Sequence, residues 1–274
     1  MPIGCRSDEG LSAPVIRRLK AADWCDVIIL DLVPQQFGHS YNLTEAMLYE
    51  TRPDLVLITG DRVEMCAAAA AAFHNKAKIA HLYAGIVNDP VTTFDDVDRH
   101  CITLWSDIQF CEDGCSKAET EALLYPFKDS NAHEVGITHL DDIEIDGSKV
   151  PKSCHNGIDP IDYDLLLINN EPLGETPTVS KERYTIQIGG NPDGKFPVVG
   201  DERYENLHRP QFLGLLKNCQ RFITNSSAAI YEAPYFLKPE QIVMVGQRNR
   251  NRPRGPFKTG ASDRIVEILR EYLK

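Results

Sequence analysis

The stretch "DLVLITGDRVEMCAAAAAAFHNKAKIAHLYAG" constrains the fold more than any other part of this 274-residue chain. Two short apolar runs, 54–60 and 78–85, flank a helical segment holding six consecutive alanines. Short apolar runs bounded by turn residues and separated by helices indicate a parallel sheet covered on both faces. The alternation recurs: "DVIILDLV" (26–33) and "DIQFCED" (107–113) read as further buried strands. Helices are expected over 12–21, 43–51, 63–75 and 94–104. The alanines are structural, because small side chains let a helix lie close against a sheet and Ala is the best helix former.

The second half repeats the theme. "YDLLLINN" and "YTIQIGGNPDG" are strand-like, and "RPQFLGLLKNC" is an amphipathic helix before the strand "RFITN". "SSAAIYEAPYFL" (226–237) reads as a helix and "QIVMVGQ" as a strand, and "SDRIVEILREYL" reads as a capped closing helix. The segment 146–162, rich in Gly, Pro, Ser and Asn, separates the halves as a linker does. Two α/β domains are therefore expected, 1–148 and 149–274. Ligands of such sheets bind outside the carboxyl ends of the strands, which in a two-domain chain means a cleft between the halves.

The formal net charge of −11 argues against a protein that grips nucleic acid, which needs a basic surface. No apolar run is long enough to span a bilayer, so no membrane partner is expected. No basic region followed by an apolar core opens the chain, and a cytoplasmic setting is the expectation. The eight cysteines then read as reduced thiols. Cys111 and Cys115 form the one close pair, and no second pair completes a zinc site. No metal is expected.

Three clusters follow strands. Asp61 stands between Gly60 and Arg62 at the carboxyl end of an apolar run; its bland reading is a helix N-cap. In "FDDVDRHCI", Asp95 and Arg99 share one helix face, and Asp96 and His100 the next. A solvated, charge-laced helix is the bland reading there; a helix presenting an acid with Arg or His to a cleft is the functional one. In "TNSSAAIYEAP", a strand runs into Asn225, Ser226 and Ser227 as a helix begins. That is either a plain serine cap or a place for a diphosphate, with Glu232 within reach of a nucleotide ribose. His81, inside an apolar run, reads first as a satisfied core histidine. His208 precedes a helix and either caps it or meets a base. "GQRNRNRPR", with Arg248, reads as a loop facing a ligand.

Taken in order, "GCRSDEG", "GDRVEMCAAAAAAFHNKAKIAHLYAG", "DDVDRHCITLWSDIQF", "VGITHLDDI", "NSSAAIYEAP" and "GQRNRNRP" resemble the hydrolysing UDP-N-acetylglucosamine 2-epimerase family, in its sialic-acid-pathway branch. The resemblance implies a GT-B-like α/β fold: two Rossmann-like domains with a UDP-sugar in the cleft, the N-terminal one reduced here. It implies elimination of UDP after removal of the carbon-2 proton, then hydration of the glycal. It assigns catalytic roles to Asp61, Asp95, Arg99 and His100, and nucleotide contacts to Arg6, Ser226, Ser227 and Glu232; Asn225, His208 and Arg248 stand beside these as nucleotide-binding candidates read from the residues themselves. It implies a UDP-sugar as substrate, no separate cofactor, and a homodimer.

This chain departs from the family pattern at two places. The family's glutamate after the third strand falls on Tyr83 or Ile86, and its histidine-proline pair falls where this chain has Asn169, Asn170 and Glu171. Glu171 or Asp89 is then expected to substitute. Three readings stay open: a UDP-sugar 2-epimerase or hydrolase; a glycosyltransferase using the same fold and an acceptor hydroxyl; and a UDP-sugar-binding protein without turnover.

Overall fold

The structure, a computed structural model, describes residues 1–4, 6–34, 36–87, 94–151, 162–168, 177, 179, 182–189, 199–205, 207–246 and 257–274. The chain divides into two compact units, Met1–Asp142 with Phe257–Lys274, and Ile143–Pro256.

The first unit opens with strand β1 (Pro2–Ile3), helix α1 (Arg6–Ala21), β2 (Leu30–Asp31) and α2 (Phe37–Thr51). It continues as β3 (Val56–Thr59), α3 (Val63–His74), β4 (Ile79–Leu82), α4 (Phe94–Trp105), β5 (Ile108–Cys111), α5 (Gly114–Leu124) and β6 (Ala132–Glu134). β1 pairs with β2, and β3, β4, β5 and β6 lie side by side in that order, all parallel. The strand expected over 26–33 pairs over only two residues, and Ile28 and Val33 at its ends are more than a third exposed. Without sheet neighbours on both sides, the apolar run has nothing to bury against there.

Helix α3 is the centre of this unit. Ala67 to Ala72 are all buried, none above 5 % exposed, and Ala68, Ala69 and Ala72 pack with Ile58, Met65 and Ile79. A helix apolar all round belongs inside a core, and only methyl side chains fit between a sheet and two neighbouring helices.

The last helix, α8 (Ala261–Tyr272), belongs to this first unit, so the expected division at residue 148 differs from the observed one. Its buried Ile265 and Leu269 anchor it. Its cap comes from far away: the Asp141 carboxylate accepts the amides of Gly260 (2.6 Å) and Ser262 (2.7 Å). Arg18 of α1 adds an ion pair to Asp263 at 2.5 Å. A docked apolar face and a borrowed cap outweigh nearness in sequence.

The second unit holds β7 (Tyr163–Leu167), β8 (Tyr184–Ile188), β9 (Glu202–Tyr204), α6 (Arg209–Asn218), β10 (Arg221–Thr224), α7 (Ala228–Tyr231) and β11 (Ile242–Met244). The sheet runs β11-β10-β7-β8-β9, all parallel, over a core of Tyr163, Leu165, Leu215 and Phe222. The chain works outward from β7 in one direction, then returns to place β10 on its other side. That reversal between β7 and β10 is a topological switch point, the place where open parallel sheets take ligands.

Where a helix was expected over 226–237, α7 is a single turn, followed by a 3-10 turn at Ala233–Tyr235. Pro234 lacks the amide that would continue the helix and crowds the preceding turn.

Candidate active site

Four carboxyl ends define the edge of the first unit's sheet. Gly60 and Asp61 follow β3, Tyr83 follows β4, Glu112 follows β5 and Val135 follows β6. His81, fully buried in β4, sets the turn before Asp61. Its Nε2 lies 2.8 Å from the Gly60 carbonyl oxygen, which can only accept, so Nε2 carries the proton. Its Nδ1 lies 3.1 Å from Thr103 Oγ1 of α4, itself 2.9 Å from the Arg99 carbonyl. Burial lowers the His81 pKa to about 4, so the ring is neutral near pH 7. It acts as a core tie between strand ends, and its proton does not titrate near neutrality.

Arg99 of α4 is 4 % exposed and forms an ion pair with Asp61. Its Nη1 donates to the Ile86 carbonyl at 2.9 Å and lies 4.0 Å from Asp96 Oδ1. The helical spacing that paired Arg99 with Asp95 thus gives way to partners at Asp61 and Asp96. Asp95 itself is in the first turn of α4, where negative charge complements the helix dipole. His100 is half-buried, its Nδ1 has no hydrogen-bond partner among the described residues, and burial followed by the Arg99 charge lowers its pKa while the Asp96 charge opposes this. Arg62 at 2.7 Å holds the buried Glu64 of α3. Arg6 begins α1, and its side chain lies outside the described residues, as do Asp89, Glu171 and Arg248.

Tyr83, which with Ile86 is one of the two positions expected to match the family's glutamate, is locked. Its hydroxyl accepts the Thr138 amide at 3.1 Å and lies 2.7 Å from Thr138 Oγ1 and 3.0 Å from His139 Nδ1. Burial first, with the Glu112 charge among the smaller causes, keeps the phenol protonated far above neutral pH. A phenol so held cannot accept a proton from substrate. Glu112, missed in the sequence reading, is 2 % exposed. The signal for it was the one that flagged Asp61: an acid just past an apolar run, in "DIQFCED".

In the second unit, the carboxyl end of β10 brings Asn225, Ser226 and Ser227 to the switch point. Asn225 is buried and the serines are half-buried. Thr224 Oγ1 accepts the Ser226 amide at 2.9 Å, and Ser226 Oγ accepts the Ala228 amide at 3.3 Å. Ser227 makes no cap bond. A one-turn helix offers little dipole, so an anion here would depend on hydroxyls and amides of the loop. Glu232 Oε1 accepts from Arg209 Nη1 at 2.9 Å. The sequence reading named His208, which is exposed and caps α6 through its carbonyl alone; the neighbouring Arg209 is the one that reaches Glu232. Among the described residues no cluster of three or more His, Cys, Asp or Glu could hold a metal, and no helix is long and apolar enough to cross a membrane.

These are parallel α/β units with polar residues gathered at their strand ends, an architecture of the GT-B-like kind. The family model described as UDP-N-acetylglucosamine 2-epimerase matches residues 33–168 of the chain. The chain is 27 % identical to the hydrolysing UDP-N,N'-diacetylbacillosamine 2-epimerase of Legionella pneumophila, over 95 % of this chain and 74 % of that protein. It is 25 % identical to the UDP-N-acetylglucosamine 2-epimerase of Neisseria meningitidis, over 80 % of this chain and 62 % of that protein. A crystal structure of UDP-GlcNAc 2-epimerase from Neisseria meningitidis bound to UDP-GlcNAc superimposes with a TM-score of 0.77 at 16 % identity, covering 98 % of each chain. The S. aureus MnaA–UDP co-structure gives 0.74 at 18 % identity, covering 99 % of this chain and 95 % of that one.

Proposed function

We propose that this chain is a hydrolysing 2-epimerase of a UDP-linked 2-acetamido sugar. The observation that carries the reading is the buried Arg99–Asp61 ion pair at the carboxyl end of β3. It joins the catalytic acid and arginine that the resemblance assigns to these positions. The guanidinium fixes the orientation of the Asp61 carboxylate, as a group that moves a proton in the transition state must be fixed.

The second unit supplies the nucleotide half of the reading. Asn225, Ser226 and Ser227 lie at the switch point, suited to the diphosphate, and the Arg209–Glu232 pair is suited to the ribose hydroxyls. Asp95 and His100 are proposed to meet the sugar. UDP-sugar and water are then the only reactants, with no separate cofactor. The relatives' names suggest a 2-acetamido sugar, one of them bearing two acetamido groups.

Proton NMR in D₂O tests this, with UDP-GlcNAc and UDP-N,N'-diacetylbacillosamine as separate substrates. The expected result is release of UDP and of the free 2-epimer carrying deuterium at carbon 2. Both substrates intact after hours at micromolar enzyme, with their signals broadened by binding, would sink the epimerase reading and leave transfer to an acceptor or binding alone.

A further inference from the structure

Helix α4 is built inside out. A surface helix of a globular protein turns its apolar stripe to the core and its charges to water. The buried side of α4 instead carries Asp96, Arg99 and Thr103, with Ile102 the one apolar residue among its four buried positions. Arg99 reaches Asp61 after β3, and Thr103 reaches His81 of β4, so this polar side is the one held against the sheet.

The outer side holds Phe94, Val97, Cys101, Leu104 and Trp105, all within about 100° of one another at 3.6 residues per turn. Phe94 is 90 % exposed and Val97 51 %, and the other three are half-buried. The stripe runs on past the helix: the Trp105 ring stacks on Phe73 at the end of α3, with centroids 5.9 Å apart, and Phe73 is 47 % exposed. Phe94, Val97, Cys101 and Leu104 alternate spacings of three and four, the a and d pattern by which one helix packs along another. A contiguous exposed apolar stripe marks an interaction site, whereas scattered single residues do not.

The charges around the stripe choose the occupant. Asp95 and Asp98 lie at the Phe94 end. At the Trp105 end, Lys128 Nζ donates to the Ser106 carbonyl at 2.5 Å, and the exposed Lys76 follows α3. Asp107, next to them in the chain, accepts the Ile79 amide at 2.8 Å. Turned end for end, this face sets its acidic end against the cationic end of an identical face, with Phe94 against Trp105 and Phe73. A chain of net charge −11 repels its own copies in general, and opposite charges at the two ends of one stripe remove that obstacle here. Helices that lie on a bilayer carry Lys and Arg beside the apolar stripe, whereas Asp95 and Asp98 border this one.

We infer that the outer face of α4 is the docking site for a second copy of this chain. The two α4 helices pack antiparallel about a two-fold axis that passes between Val97 and Cys101. The contact is isologous, so each copy gives and receives the same residues. Val97 of one copy meets Cys101 of the other, and the two Cys101 thiols stand on either side of the axis, within reach of a short cross-linker.

The test uses the full chain without substrate, in the analytical ultracentrifuge at micromolar to sub-millimolar concentration. Wild type is expected to sediment at twice the mass of one chain. Val97→Glu puts a charge in the middle of the stripe at an exposed position, and is expected to sediment as a single chain with the circular dichroism spectrum of wild type. A short bismaleimide should join two wild-type chains and fail to join Cys101→Ser chains, which still pair; this readout decides the matter if the Val97 variant folds poorly. A wild-type chain that stays monomeric across the range overturns the inference. So does a dimer that survives Val97→Glu, or cross-linking that Cys101→Ser leaves undiminished.

Discussion

Arg99, in the middle of α4, meets Asp61, at the end of β3, in an ion pair in which the arginine is almost wholly buried and the aspartate is 23 % exposed. The pair links the helix to the sheet edge and aims a carboxylate outward. A further hydrogen bond from Arg99 to the Ile86 carbonyl ties down the chain after β4. Replacing Asp61 by Asn keeps the shape and removes the charge. Turnover is expected to fall about 10²–10⁴-fold, with UDP affinity within a factor of a few. Arg99→Met should also destabilise the fold by about 2 kcal/mol, less than for a fully buried pair because Asp61 can be hydrated. Thermal melts and UDP-release rates check both; full activity in Asp61→Asn would remove Asp61 from the chemistry.

Tyr83 locks the turn after β4 to the Thr138 segment. Tyr83→Phe leaves the buried Thr138 amide without the acceptor at 3.1 Å. The expected cost is about 1–3 kcal/mol of stability, with turnover per folded molecule near wild type. Urea titrations with activity assays decide. A tenfold activity loss at unchanged stability would give the phenol a direct part.

His81 gives the fold a pH dependence. Its pKa falls from 6.5 to about 4 on burial. The unfolded chain therefore binds a proton between those values that the native chain refuses, and stability drops as pH falls through that window. The loss reaches about 3 kcal/mol at pH 4, from 1.36 kcal/mol per pH unit. His81→Gln keeps a donor for Gly60 and cannot titrate. Its melting temperature should decline less between pH 6.5 and 4 than that of the wild type; parallel profiles would refute the assignment.

Arg209 holds one oxygen of Glu232 at 2.9 Å. If that carboxylate meets the ribose, Arg209→Met frees it to rotate. The wild type should then prefer UDP over 2′-deoxy-UDP, and the variant should lose most of that preference with the fold intact. Calorimetry with both nucleotides tests this. Equal discrimination in both proteins would make the ion pair structural only.

Gly85 lies in the turn after β4 with φ +74°, and a Cβ there would run into the Ser116 carbonyl oxygen. Gly85→Ala should destabilise the first unit by more than about 2 kcal/mol. A melt within a degree of wild type would show that the turn and α5 can separate.

By itself, the sequence determined the alternation of strands and helices, the all-alanine core helix and the polar residues that follow β3 and β10. Those properties are local: an apolar run with turn residues at its ends reads the same wherever its partners lie. Tertiary structure alone decided the partners. Helical spacing paired Arg99 with Asp95, whereas packing of α4 beside the sheet gave it Asp61 and Asp96. The capped closing helix was legible, but its cap comes from Asp141 and its place is in the first unit. Helix α5 and strands β6 and β9 went unread because their apolar patterns are short and weak, and they are held by neighbours distant in sequence. Glu112 carried the same signal as Asp61. Only the packing of β5 between β4 and β6 buries it, because burial is set by contacts between segments distant in sequence.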